Sequence, residues 1–450
     1  MSDLMAARSQ MAMSLGFHIL FSVVGMALPV LMVIAQWRHL RTGNAAAGEL
    51  AQRWAKGSAL LFAVGAVSGT VLSFELGLLW PRFMELAGPL IGMPFSLESF
   101  AFFIEAIFLG IYLYGRDRLS PWLHWGSGVV VAVSGLSSGV FVMAVNGFMN
   151  TPAGFVVKDG VFTDIDLVAA FFNPAFFAEA LHMSLAAYTS VAFVVAGIHA
   201  WRLRTDPESP FHHEALRIAC AFAVVVVPLQ LGSGDIAAKL IAKTQPMKLA
   251  AAEGLYETGR GVAFSIGGIP NDDDEVTRYA VHIPKLLSFL ATGDPVGEVK
   301  GLKEVPREDR PPTLVVHLAF QLMIACGLAM GATVGLGVLL LLLRRRPPWR
   351  TPWFRRLLVV TAPLGFIAVE AGWVVTEVGR QPWILQGVLR TKDAVTPVPN
   401  LMGTFTTFTL LYVFLGVVTV LALRRHVFSA DAAHGALPKD TVVSTDGTFT

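Results

Sequence analysis

Four stretches of this chain, residues 9–37, 119–157, 311–343 and 394–423, contain no Asp, Glu, Lys or Arg. A helix needs only about 20 apolar residues to cross the hydrocarbon core of a bilayer, so each stretch is long enough to span one. Runs 57–74 and 218–234 come close to that length, and segments 97–114, 174–200 and 357–378 are apolar except for isolated acids. Nine spans result. An all-α integral membrane protein is the expected fold class, because a helix satisfies all its backbone polar groups within itself. The first run is too long for a cleaved leader, has only Arg8 as its nearby basic residue, and is followed by no small-residue cleavage site, so it is expected to stay in the membrane.

Composition narrows the functional classes. Only 15% of the 450 residues are charged and 54% are hydrophobic, against about 25% charged in soluble chains, which excludes a water-soluble enzyme. The 34 Lys and Arg are balanced by 32 Asp and Glu, leaving no basic excess to neutralise nucleic-acid phosphates. Cys220 and Cys326 are too few for a disulfide framework or a thiolate-held iron–sulfur cluster.

Orientation follows from the basic residues. The loops between spans 1 and 2, 3 and 4, 5 and 6, 7 and 8, with the C-terminal tail, hold 18 Lys and Arg, whereas the short segments on the other face hold 6. The positive-inside rule then predicts the N-terminus outside and the C-terminus cytoplasmic. Arg344, Arg345, Arg346, Arg350, Arg355 and Arg356 form the strongest anchor. The organisation expected is membrane helices 1–6 over residues 1–234, an extramembrane loop over 235–312, helices 7–9 over 313–425, and a loose polar cytoplasmic tail over 426–450. Within the loop, Lys239 to Ala252 has few helix breakers apart from Pro246, and the acid run Asp272 to Glu275 reads as solvated surface. The chain has no internal repeat, which weighs against an inverted-repeat transporter.

Chemistry must reside in the polar residues inside the spans, each of which costs about 2.5–3.5 kcal/mol at a helix centre. They are His18, Glu98, Glu105, Glu179, His182, His317, Glu370 and Glu377, with Arg380 near the end of span 8. Glu98 and Glu105 are seven residues apart, two helical turns on one face, and Glu370 and Glu377 repeat the spacing. Such a ladder suits stepwise proton movement, or serves as interhelical glue; Arg380 can partner only one of the four acids directly. Taken singly, His18 and His182 each fit a core histidine bonded to a carbonyl, Met323 fits ordinary packing, and Lys248 with Glu253 fits a surface ion pair. A histidine and a methionine together are also an axial pair for a low-spin haem. A non-enzymatic proton or cation transporter is the rival class, with a scaffold subunit as the third.

The stretches Gly16-Phe17-His18, Leu97-Glu98-Ser99, Phe102-Phe103-Ile104-Glu105, Val145-Asn146-Gly147-Phe148-Met149, Asn173-Pro174 followed by His182, Lys248-Leu249-Ala250-Ala251 with Glu253, Ala368-Val369-Glu370-Ala371-Gly372-Trp373 and Gly379-Arg380-Gln381-Pro382-Trp383 occur here in that order. Through them the chain resembles subunit I of the cytochrome bd-type quinol oxidases from span 1 to span 9. The resemblance implies a terminal oxidase that oxidises quinol outside, reduces O2 to water with cytoplasmic protons, and generates a proton gradient without pumping.

Residue by residue, the resemblance implies that His182 and Met323 are the axial ligands of a low-spin haem b. His18 and Glu377 match the ligands of two high-spin haems, one b-type and the other d-type or b-type. It further places Glu98 beside the oxygen-reacting site, Glu105 and Ser138 on a proton path, Arg380 near a haem propionate, Trp373 between haems, and Lys248 and Glu253 in the quinol-oxidising loop. The implied partners are a second, haem-free membrane subunit, a small single-helix accessory subunit, ubiquinol or menaquinol, and O2. The implied location is a prokaryotic plasma membrane. Gln321 departs from the family's common Arg two residues before the axial Met, which lowers the expected haem potential. The loop is of the short type, and Phe74-Glu75-Leu76-Gly77 resembles the cyanide-insensitive branch.

Overall fold

The computed structural model describes residues 2–425; the tail expectation falls on residues outside them. Its helices are α1 (Asp3–Thr42), α2 (Ala45–Leu79), α3 (Pro81–Tyr114), α4 (Pro121–Asn150), the short α5 (Leu167–Phe171), α6 (Phe176–Arg202), α7 (Pro210–Thr244), α8 (Pro246–Glu253), α9 (Leu286–Thr292), α10 (Thr313–Arg344), α11 (Pro352–Thr361), α12 (Leu364–Val378), the four-residue α13 (Thr391–Ala394) and α14 (Leu401–Leu423). Among the described residues nine helical segments are long and apolar enough to cross a membrane, α11 and α12 together making the eighth. The chain is a nine-span, all-α membrane protein.

Local chemistry sets the helix ends. Ser2 Oγ accepts the Met5 amide at the start of α1, and Gly43 closes it in the left-handed conformation at φ 69°. Asn44 then caps α2 through the Ala47 amide, so two residues suffice to reverse the chain. Proline stands in the first turn of α3, α4, α7, α8 and α11, where its missing N–H costs nothing.

Two boundaries differ from the sequence expectation. Span 6 ends by composition at residue 234, but α7 continues to Thr244. Lys239 and Asp235 pair at 2.6 Å one turn apart, so charge ends the apolar run without ending the helix. Span 8 is broken at Ala362-Pro363, between α11 and α12, because proline cannot donate to the preceding turn.

Ten very short strands complete the fold: β1 (Val156–Lys158), β2 (Val161–Thr163), β3 (Gly259–Arg260), β4 (Phe264–Ile266), β5 (Ile269–Asn271), β6 (Val276–Arg278), β7 (Val281–Ile283), β8 (Glu298–Val299), β9 (Trp383–Leu385) and β10 (Leu389–Arg390). All pair antiparallel, with β5–β6 nested inside β4–β7 and that ladder inside β3–β8. The extramembrane loop is thus α8 followed by nested hairpins. Its acid run forms the β5–β6 turn, where Glu275 takes Arg310 at 2.7 Å and Lys303 at 3.2 Å; these ion pairs hold its carboxyl well below the usual range, at about 2.

The main apolar core joins α1, α2, α6, α7, α10, α11 and α12 around Val23, Leu31, Ala187, Ala219 and Phe354. A second core, around Phe83, Leu90, Phe148 and Leu385, closes the other end against α3 and α4.

Candidate functional site

The most connected polar group in the bundle is Asn150, the last residue of α4 and 1% exposed. Its Oδ1 accepts from Lys248 Nζ at 2.9 Å, Arg380 Nη1 at 3.1 Å and Gln245 Nε2 at 3.3 Å. Its Nδ2 donates to Glu179 Oε1 at 2.8 Å and Asn146 Oδ1 at 3.0 Å. Asn146 donates in turn to Glu377 Oε1 at 2.6 Å, and the other oxygen of Glu377 is ion-paired with Arg380. Two cations, Lys248 and Arg380, thus face two acids, Glu179 and Glu377, and the formal charges cancel inside a buried cage. Lys248 and Glu253, which alone would read as a surface pair, are both buried, at 2% and 3% exposure. Burial first, then Arg380, holds the Lys248 ammonium below its ordinary value, and burial raises the Glu253 carboxyl to about 8. Glu253 Oε2 has no hydrogen-bond partner.

Two imidazoles stand elsewhere in the bundle, each tied to a serine. His182 Nδ1 on α6 lies 3.0 Å from Ser233 Oγ on α7, and that hydroxyl donates its single proton to the Gln230 carbonyl at 2.8 Å. His18 Nδ1 on α1 lies 3.0 Å from Ser68 Oγ on α2, whose proton goes to the Val64 carbonyl at 3.0 Å. A hydroxyl that has spent its proton can only accept. We therefore assign the proton of both rings to Nδ1, which leaves Nε2 a bare lone pair, as a metal-binding histidine requires. Gln230 Nε2 stands 3.4 Å from His182 Nε2, long for a hydrogen bond.

Met323 lies on α10, and its sulfur packs over Gly372 of α12, 3.2 Å from where a Cβ there would be. Trp373, the next residue, has an indole N–H without a partner. Gln321 is committed elsewhere: its amide nitrogen donates to the Ser265 carbonyl at 2.9 Å and its oxygen accepts the Gly267 amide at 3.0 Å. What reads in sequence as a missing charge is, in the fold, a fastening for the loop.

The acid ladder is shared between antiparallel helices. Glu98 Oε1 on α3 accepts from Ser138 Oγ on α4 at 3.1 Å. Glu105 is buried against Gly135, one turn from Ser138, where a Cβ would come within 3.2 Å of its carboxylate. Ser138, which the resemblance groups with Glu105, thus contacts Glu98, one turn along α4 from the Gly135 face that covers Glu105. On α12, Glu370 faces Gly16 of α1, with a carboxylate oxygen 3.1 Å from the position of a Cβ, and its Oε1 is unpartnered. Asn150, Gln245, Ser68 and Ser233 are functional candidates that a search for charge overlooks. An amide or hydroxyl inside an apolar run was the available signal.

Among the described residues no three His, Cys, Asp or Glu converge on a point that could cage a metal ion. Iron bound here needs its own equatorial ligands and only one or two donors from the chain, which is what a porphyrin provides. The residues fit such a group. Two imidazoles are oriented by serines through Nδ1, a thioether packs over a glycine, and buried polar atoms of Glu179, Glu370, Trp373 and Arg380 have no protein partner.

These features define a multi-pass membrane protein whose helical bundle is suited to holding redox cofactors. Residues 6–430 match the cytochrome bd terminal oxidase subunit I family. The chain belongs to that family. It is 36% identical over 439 residues to a Bacillus subtilis (strain 168) protein whose curated name, given provisionally, is cytochrome bd menaquinol oxidase subunit I, covering 96% of this chain and 99% of that one. It is 31% identical to cytochrome bd ubiquinol oxidase subunit 1 of the same organism, covering 99% and 97%. The solved bd oxidase of Geobacillus thermodenitrificans contains a chain that superposes with a TM-score of 0.89 at 37% identity, covering 94% of this chain and 98% of that one. Membership makes the chain a haem-containing oxidoreductase subunit of the quinol oxidase type that works with a membrane partner.

Proposed function

We propose that this chain oxidises ubiquinol or menaquinol at α8 and reduces O2 to water with protons from the opposite side, in a prokaryotic plasma membrane with its N-terminus outside. Haem supplies the electron relay and the oxygen-reducing centre. His182 and Met323 would hold a low-spin haem b, and His18 and Glu377 the two high-spin haems, one b-type and the other d-type or b-type. Arg380, whose Nε is unpartnered, would receive a propionate as a charge-assisted contact, and Trp373 would lie between haems. A second, haem-free membrane subunit and a small single-helix subunit would complete the enzyme.

The chain's own residues then divide the work. Lys248 positions a quinol oxygen while Glu253, raised by burial, accepts a phenolic proton and passes it outward. Glu105, Ser138 and Glu98 would carry protons in that order, Ser138 contacting Glu98 one turn from the Gly135 face that covers Glu105. Because protons leave on one side and are taken up from the other, charge separation needs no pump. We read Phe74-Glu75-Leu76-Gly77 together with Gln321 as marking the cyanide-insensitive branch.

The observation that carries this reading is the pair of imidazoles, one on α1 and one on α6, whose Nδ1 atoms are each tied to a serine of the neighbouring helix. A reduced-minus-oxidised optical spectrum of the purified complex tests it. Met323→Leu is expected to abolish the low-spin band and quinol oxidation while high-spin bands persist. Unchanged spectra refute the ligand assignment, and a colourless complex refutes the function.

A further inference from the structure

Far from Asn150 along the bundle, α6, α7, α10 and α11 enclose a cavity of about 310 Å³, within the size range of small-molecule sites, roughly 300–1,000 Å³. Its wall includes Ala192, Phe193, Cys220, Ala221, Thr333 and Leu358. The Thr333 hydroxyl is turned onto the Ala329 carbonyl at 2.8 Å, so Arg217 is the one lining side chain with polar groups free to meet a ligand. A chamber so apolar does not retain water. It is not a gap between loosely packed helices either. A Cβ on Gly337 would come within 2.9 Å of the Phe354 ring, and one on Gly197 within 2.3 Å of the Ala362 methyl, so the helices touch on both sides of it.

The mouth has the opposite character. A second concavity, lined by Arg344, Arg346 and Arg350, adjoins the first, with Pro347 and Pro348 lining both. The turn that carries these arginines is held in place by Trp349, which donates to His213 Nδ1 at 3.1 Å. Arg344 reaches only the Thr351 hydroxyl, at 3.4 Å, and among the described residues Arg346 and Arg350 have no acidic partner. Glu214, which pairs with the lining residue Arg217, is also committed to Arg38.

We propose that this slot binds an anionic phospholipid, one acyl chain filling the cavity between α6, α7, α10 and α11 and the phosphate held by Arg346 and Arg350. Guanidinium forks match phosphate oxygens bidentately, and basic pockets between membrane helices favour anionic headgroups. An isoprenoid quinone would find only the Arg217 guanidinium, already paired with Glu214, for its ring and would leave Arg346 and Arg350 unused. The arginine-rich turn is thus a ligand site as well as a topological anchor.

The test uses the purified two-subunit complex, incubated with phosphatidylglycerol or phosphatidylcholine in mixed micelles, washed, and read by native mass spectrometry. The expected result is retention of one phosphatidylglycerol, reduced by about tenfold or more in R346Q/R350Q, partly restored in R346K/R350K, and lost in Ala221→Leu, which fills the cavity from an exposed lining position. An unchanged optical spectrum shows that each variant is folded. Equal retention of phosphatidylcholine, or equal retention of phosphatidylglycerol in every variant, overturns the proposal. So does a co-purifying quinone or small subunit displaced by Ala221→Leu but indifferent to the arginine changes, because each identifies a different occupant. None of these outcomes depends on the haem ligands.

Discussion

Asn150 Oδ1 accepts the Lys248 ammonium at 2.9 Å, which makes an uncharged side chain at the end of span 4 the anchor of the one lysine buried beside the candidate quinol site. The same oxygen takes Arg380, so a single amide accepts from two like charges that still repel each other. Neither Glu179 nor Glu377 does this directly for Lys248; they balance it through the cage.

Asn150→Leu should therefore remove the shared acceptor from both cations. A hydrogen bond to a buried charge contributes about 1.5–3 kcal/mol, and about 1.4 kcal/mol is tenfold in rate. Quinol-driven oxygen consumption is expected to fall at least about tenfold while the low-spin band persists. Full activity in this variant would remove Asn150 from the quinol machinery.

The serine tethers are open to a separate test. Ser233→Ala frees the Nδ1 proton of His182, and Ser68→Ala does the same for His18. Loss of such an outer partner typically costs about 10–100-fold in metal affinity or activity. Each variant should lose occupancy at its own haem only, read as selective bleaching of one set of bands. Loss of all bands together would mean that the serines hold the fold rather than the rings.

The spans and the ionisable residues inside them were legible in the sequence because lipid forbids charge, and each exception is visible as a break in an apolar run. What joined them was not. Asn150, Ser68 and Ser233 are neutral and lie in or beside apolar runs, so no charge pattern singles them out, yet they determine where Lys248, His18 and His182 point. The loop hairpins were equally hidden, since strands of two or three residues are too short for an alternating pattern to register. The seven-residue acid spacing did predict a shared face. Its partner emerged only from the antiparallel register of α3 and α4, which sets Ser138 opposite Glu98 rather than Glu105.

Glu253 gives a prediction with a sign. Burial raises its carboxyl from an ordinary 4.5 to about 8, so between these values the folded protein binds more protons there than the unfolded chain. The stability this group contributes is complete below about 4.5 and is lost as pH rises to about 8. Its capacity to accept a proton runs the other way, since only the ionised form is a base. Quinol oxidation at saturating O2 should climb with pH toward about 8 and level above it, and Glu253→Gln should flatten that profile while raising thermal stability at alkaline pH relative to the parent. A variant profile that still climbs with the same midpoint would assign the proton to another group.

Span 7 grips the loop at two points one turn apart. The ring of His317 lies within hydrogen-bond distance of two carbonyls, Ala252 at 2.8 Å through Nδ1 and Gly267 at 3.0 Å through Nε2, and Gln321 adds Ser265 and Gly267. The carbonyl of Ala252 belongs to the residue before Glu253, so the clamp sets where the candidate base stands, and the helix that forms it also carries Met323. Gln321→Ala should release the β4 hairpin without exposing a charge, at a cost of about 0.5–1.5 kcal/mol per hydrogen bond lost, since the Gly267 amide is exposed. Limited proteolysis between β4 and β7 should accelerate, and the KM for quinol should rise more than kcat falls, because the substrate loop is loosened while Met323 stays over Gly372. If kcat and the low-spin band fall together with KM unchanged, Gln321 acts on the haem rather than on the loop, and the clamp is not what couples span 7 to the quinol site.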